Sequence, residues 1–234
     1  MKALITYQLR DYLKSYNYVA PFSVFIIMLI VNYAFYPNPV LASYGVTAIY
    51  LYILTAWVTV TFFHTEDSIQ EGITIIHTGS ENKFFVSKYL SLLFITIVFA
   101  VISVVYPVVF GMFSEQVTIE SLTIGFLTHL LLGVLAISIG ALFTRNIVET
   151  KSNQWLGIIL VLVVSISSLG IQQLLPPSWE YLLLLIPPIS EVIVQMNDSL
   201  NVNDILIMYG WSIGYSSCLI IMFFIIYQRK KRYK

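Results

Sequence analysis

Residues 85–111 read FVSKYLSLLFITIVFAVISVVYPVVFG, and after Lys88 no charge follows until Glu115. An α-helix rises 1.5 Å per residue, so this run is long enough to cross a hydrocarbon core about 30 Å thick. Working outward, five more apolar runs lie at 17–36, 42–63, 122–144, 154–174 and 205–227. The chain is 58% hydrophobic and 10% charged over 234 residues, which excludes an ordinary soluble domain. Six spans of about 20 residues use roughly half the chain and leave no room for a separate extramembrane domain. The expected fold is all-α: one polytopic membrane domain over 1–234, with six transmembrane helices.

The connecting stretches alternate in charge. Lys2, Arg10 and Lys14 precede the first run, Lys83 and Lys88 fall in 64–88, and Arg145 and Lys151 fall in 145–153. Arg229, Lys230, Lys231, Arg232 and Lys234 form a basic tail at 228–234. The intervening stretches 37–41, 112–121 and 175–204 contain no Lys or Arg; their acids are Glu115, Glu120, Glu180, Glu191, Asp198 and Asp204. Basic loops stay in the cytoplasm, so this alternation predicts cytoplasmic N- and C-termini in a cell membrane. The zero net charge then divides into a positive inner side and a negative outer side. Tyr16, Tyr18, Tyr33, Tyr36, Tyr44, Trp155, Trp179 and Tyr227 sit near span ends, where amphipathic rings prefer the headgroup level. The single cysteine, Cys218, supports neither a disulfide framework nor a clustered metal site. The first apolar run is too long for the core of a secretory signal.

Three connecting segments have patterns of their own. In 1–16, Ile5, Leu9, Tyr12 and Tyr16 recur at helical spacing, opposite Arg10 and Lys14. That pattern predicts an interfacial elbow helix, or a short extension of the first span. In 64–80, Thr65 is the expected N-cap, Glu66 and Asp67 fall in the first turn, and Ile69, Ile73 and Ile76 form an apolar stripe. Gly79 is the expected stop, and Ser80 the cap of the next helix. Such a short helix cannot bury its stripe alone, so it lies on lipid or docks on a partner. Its acids, Glu66, Asp67, Glu71 and Glu81, favour a protein partner over an anionic membrane surface. In 175–204, two apolar pieces too short to span flank Pro187-Pro188. They read as an outer re-entrant helical hairpin, or as a surface hairpin packed on the bundle. Pro107 should kink or loosen the outer end of the third span.

Several chemistries have no motif here. The nearest string to a phosphate loop, Gly79-Ser80-Glu81-Asn82-Lys83, lacks the second glycine and the following hydroxyl. His64, His77 and His129 have no metal-ligand spacing, so no metal is expected. Gly214-Tyr215-Ser216-Ser217 resembles an intramembrane serine site only weakly. The absence of acids inside the spans counts against ion-coupled transport. His129 lies between Gly125 and Gly133, and Gly210 pairs with Gly214 in the last span. These five residues read as helix-packing positions or as part of a translocation path, with packing favoured for the histidine. Asn32, Thr47, Thr55, Thr59, Ser165, Ser168, Gln172 and Gln173 could line such a path.

The stretch Glu66–Ser91, EDSIQEGITIIHTGSENKFFVSKYLS, together with the elbow, six spans and outer hairpin, resembles the type-2 permeases of ABC exporters. The short length is most similar to Gram-positive exporters of amphipathic peptides, such as lantibiotic-immunity permeases and the phenol-soluble modulin exporter. The resemblance implies a permease subunit with no catalytic residues and no bound cofactor, ATP and Mg being held by a separate ATPase. It implies that Glu66, Asp67, Gln70, Glu71, Ile73 and His77 form a coupling helix contacting ABC ATPase subunits. It also implies a second permease copy or paralogue, an amphipathic peptide or lipid-like cargo, and no nucleic acid. A non-transporting membrane sensor or immunity protein that binds a peptide is the alternative, and an intramembrane enzyme a third reading.

Overall fold

The computed structural model describes residues 1–35, 37–197 and 202–232. Tyr36, Asp198 and Lys234 lie outside them, as does part of the 175–204 segment. The regular elements among the described residues are all helices, with one isolated bridge between Asn38 and Phe113. Four helices are long and apolar enough to cross a membrane: α3 (Val40–Phe63), α5 (Glu81–Val109), α6 (Ile119–Leu142) and α10 (Val202–Arg232). The number rises to six if two bent pairs each count as one span. The pairs are α1 (Lys2–Ser15) with α2 (Val19–Tyr33), and α7 (Lys151–Ile166) with α8 (Ser168–Leu174). This is a membrane protein.

α3 is the central helix. It packs most extensively on α6, and also on α5 and α2. The approach of α6 to its neighbours depends on glycine. A Cβ on Gly125 would lie 2.5 Å from a ring carbon of Tyr44 on α3, and one on Gly140 would lie 2.8 Å from Thr59. A Cβ on Gly133 would lie 2.2 Å from Thr96 on α5. With no hydrophobic drive between helices in lipid, such close backbone contact provides the dispersion energy of association. The buried face of α10 follows helical spacing through Ile205, Tyr209, Ser212, Ser216 and Phe223. Tyr209 and Thr128 share a hydroxyl hydrogen bond of 2.6 Å across α10 and α6.

α1 turns 82° into α2, with Tyr16 at the corner in the left-handed region (φ 57°). Because the helix ends at Ser15, Tyr16 leaves the expected stripe and is 71% exposed. The rest of that face is docked on protein. Tyr12 is buried against the rings of Tyr18 and Phe62, and its hydroxyl bonds Thr61 at 3.0 Å. Gln8 is buried and accepts from Ser87 of α5 at 3.0 Å. Arg10 and Lys14 face outward as expected.

Three boundaries differ from the sequence reading. The run 154–174 is broken by 67° at Ser167 into α7 and α8. The break is stabilised by Ser190, whose hydroxyl donates to the carbonyls of Ser165 (3.2 Å) and Ile166 (3.0 Å), taking the place of helical amides. The outer segment is split at Pro187-Pro188 as expected, but its first piece is a 3-10 helix, Pro177–Leu185. The second piece, α9 (Ile189–Asn197), buries Ile189, Val192 and Met196 and seats Ile193 against Gly45 of α3. The basic segment is no loose tail: α10 continues helically through Arg232. Four like charges in its last turns are favoured there by the helix dipole.

Candidate functional site

At one end of the bundle α1, the α3–α4 connection, the 143–150 loop and the last turns of α10 converge around a short helix, α4 (Ser68–Thr78). Its start is set by Asp67, whose carboxylate accepts from the amides of Ile69 and Gln70, both at 2.8 Å. Asp67 rather than Thr65 is therefore the N-cap, and Glu66 lies outside the helix. Thr65 instead donates to the Thr61 carbonyl of α3. Gly79 closes the helix with φ 69°, a conformation that favours glycine, and Ser80 caps α5 by accepting from Lys83 N at 3.4 Å.

α4 is turned opposite to an ordinary amphipathic helix. Ile69, Ile73 and Ile76 are 75%, 52% and 78% exposed, whereas Glu71 is buried. The face toward the protein carries Glu71 and Thr74, beside a partly buried Ile75. Glu71 accepts from the Arg145 guanidinium at 2.6 Å and from the Asn146 amide at 3.0 Å. Glu66, also buried, accepts from Thr74 at 3.2 Å and lies 3.1 Å from the Lys88 ammonium. Lys88 is 3.9 Å from Glu71, donates to the Phe63 carbonyl at 3.5 Å, and lies over the rings of Phe63 and Phe84. Two acids and two bases thus neutralise one another, with Lys88 and Glu66 closed to water and Arg145 at the edge of the site, and such pairing is the condition for burying charge at all.

His64, at the end of α3, accepts a hydrogen bond from the Arg145 amide at 3.2 Å. Burial, then the positive charges of Arg145, Lys88 and Lys151, push its pKa down to about 4, with Glu71 opposing. A base whose folded pKa is depressed contributes stability that is present above its unfolded pKa near 6.5 and is lost as pH falls toward 4. Unfolding titrations between pH 7.5 and 4 should show that loss, and His64→Gln should flatten it. Equal pH dependence in the variant would show that the imidazole stays partnered when protonated.

Of the residues singled out in the sequence, Asp67, Ile73 and His77 are exposed on α4, and Gln70 is half-buried, donating to the Tyr7 hydroxyl at 2.8 Å. Glu66 and Glu71 face the protein interior rather than solvent. Their acidity is neutralised and does not bear on what docks outside. Clefts lie on both sides of α4. One, about 760 Å³, lies between α1 and α4, with Leu4, Tyr7, His77 and Lys83 in its walls. The other, about 650 Å³, lies between α4 and α10, with Gly72, Ile75, Arg145, Tyr227 and Lys230 in its walls.

His129 is remote from this end and is fully buried on α6. Both ring nitrogens are partnered, one with Thr47 at 3.0 Å and one with the Gly125 carbonyl at 2.7 Å. Gly125 and Gly133 are close-packed, but Gly210 and Gly214 are exposed, with nothing within 4 Å of an added Cβ. That pair packs on no helix among the described residues. Thr47, Thr59 and Ser165 bond their own backbones.

Sequence reasoning passed over Lys88, Arg145, Asn146 and His64 as site members. A signal existed for Lys88: a lone cation at the head of an apolar run must find a counter-charge. No protein-family model, curated protein or solved structure matches this chain.

Proposed function

We propose that the chain is the permease subunit of an ATP-driven exporter, with six membrane spans, cytoplasmic termini and α4 as the helix that receives a separate ATPase. The observation that carries this reading is the exposed ridge of Ile69, Ile73 and Ile76, presented by a short helix whose opposite face is pinned by buried charges. An exposed apolar ridge on a short helix marks a contact surface, and the clefts beside α4 would allow a partner to grip it from both sides. Asp67 and His77 would lie at the rim of that contact, while Glu66 and Glu71 would position the helix. A second permease copy or paralogue would complete the transporter, and ATP and Mg would be bound by the ATPase. The apolar spans favour an amphipathic peptide or lipid-like cargo leaving the cell.

The test is copurification from native membranes of wild type and of Ile73→Asp, a change that leaves the buried charges untouched. A nucleotide-hydrolysing subunit should accompany wild type and fall at least tenfold in the variant. Wild type purified without any such subunit would overturn the exporter reading and leave a non-transporting peptide sensor in its place.

A further inference from the structure

The four charges beneath α4 are not equivalent. The Lys88 and Glu66 side chains are 1% and 3% exposed, whereas Glu71 is 11% and Arg145 is 25% exposed. Their anchor points also differ. Glu66 precedes the N-cap of α4 and pairs with Lys88 of α5. Glu71, inside α4, reaches instead to Arg145 and Asn146 on the 143–150 loop. That loop is held independently of α4: the Arg145 amide donates to His64, and the Gln154 side chain donates to the Val148 carbonyl at 2.7 Å.

These differences decide what happens if α4 moves. Were Glu71 to leave, Lys88 would still have Glu66 at 3.1 Å, the Phe63 carbonyl and two aromatic faces, so no buried charge would be stranded. Arg145 already touches water, and Glu71 on an outward-moving helix would reach it. Thr74 would lose Glu66 as an acceptor but keep the Gln70 carbonyl at 2.9 Å. Separating Lys88 from Glu66, by contrast, would leave two buried ions without a counter-charge.

We infer that α4 is hinged, with Lys88–Glu66 a permanent pivot and Glu71–Arg145–Asn146 a releasable latch, giving the helix a second position swung away from the 143–150 loop. This inference rests on the charge cluster alone and holds whatever covers the isoleucine ridge. Water would replace the partners of the latch bonds, and a partner that binds the ridge better in one position than in the other would select between them.

Pulsed EPR on the full chain in lipid nanodiscs tests this. Spin labels are placed at Ile73→Cys and Ser152→Cys in a Cys218→Ser background. Arg145→Ala should move at least five times more of the population to the longer distance, with folded yield close to that of the labelled parent. Glu71→Gln, which keeps the Asn146 bond, should give an intermediate shift, and Lys88→Met should lower the folded yield severalfold. An unchanged distance distribution in Arg145→Ala overturns the hinge. So does a yield loss in Arg145→Ala equal to that of Lys88→Met, because the latch would then be as structural as the pivot.

Discussion

Replacing Lys88 by Met is expected to lower the unfolding free energy by about 3–5 kcal/mol, measured by SDS titration of the detergent-purified protein. The substitution keeps most of the side-chain volume and removes only the ammonium. What remains is Glu66, 2% exposed, with one oxygen on Thr74 and the other facing the vacated site. The loss belongs to that stranded carboxylate rather than to Lys88 itself. Lys88→Met/Glu66→Gln should therefore recover more than half of it, since a neutral amide still accepts from Thr74. A double variant as unstable as the single one would mean that Lys88 acts through its contacts with Phe63 and Phe84 instead. The exposed pair between Lys230 and Glu149, at 3.2 Å, is a useful control: Lys230→Met should change stability by less than about 1 kcal/mol.

The second large effect separates two glycine pairs that look alike in sequence. Gly133→Leu should destabilise the fold by about 3 kcal/mol, and Gly125→Leu by about the same. Neither neighbour can move aside cheaply. Thr96 is held by its hydroxyl bond to the Leu92 carbonyl at 2.9 Å. Tyr44 is held by its bond to the Val104 carbonyl at 3.1 Å and by edge contacts with Phe113 and His129. Gly210→Leu and Gly214→Leu should be neutral or stabilising by up to about 1 kcal/mol, because leucine gains helix propensity there and meets no neighbour. The same SDS titration reads all four variants. Destabilisation at Gly210 would show that this face of α10 is covered in the purified protein.

Much of the architecture was legible from the residues in order. Long uncharged runs leave the backbone no alternative to helix in an apolar medium, which is why α3, α5, α6 and α10 fall close to the expected spans. Local chemistry also located the C-terminal end of α4 and the start of α5, because glycine at positive φ and a serine cap act within one turn. The Pro187-Pro188 break was legible for the same reason. Misreadings arose where a local signal had two answers. Thr65 and Asp67 are both good N-caps, and the helix uses the one whose carboxylate reaches two amides.

The sequence by itself determined that this chain is helical and apolar enough for a membrane, and that its cations gather in alternate connections. It also determined that a short amphipathic helix precedes the 85–111 run. Only the tertiary structure decided which face of that helix turns inward. Periodicity defines two faces of α4 but not their environments, and the outcome depends on Lys88 and Arg145, which are 17 and 74 residues from Glu71. Their charges make it favourable to turn the carboxylates inward, which leaves Ile69, Ile73 and Ile76 on the outer face. The break at Ser167 has the same kind of origin, since the hydroxyl that satisfies its carbonyls comes from Ser190. Hydropathy is a property of single residues and survives in any fold. Neutralising a buried charge needs a partner within about 4 Å, which exists only once distant segments have been brought together.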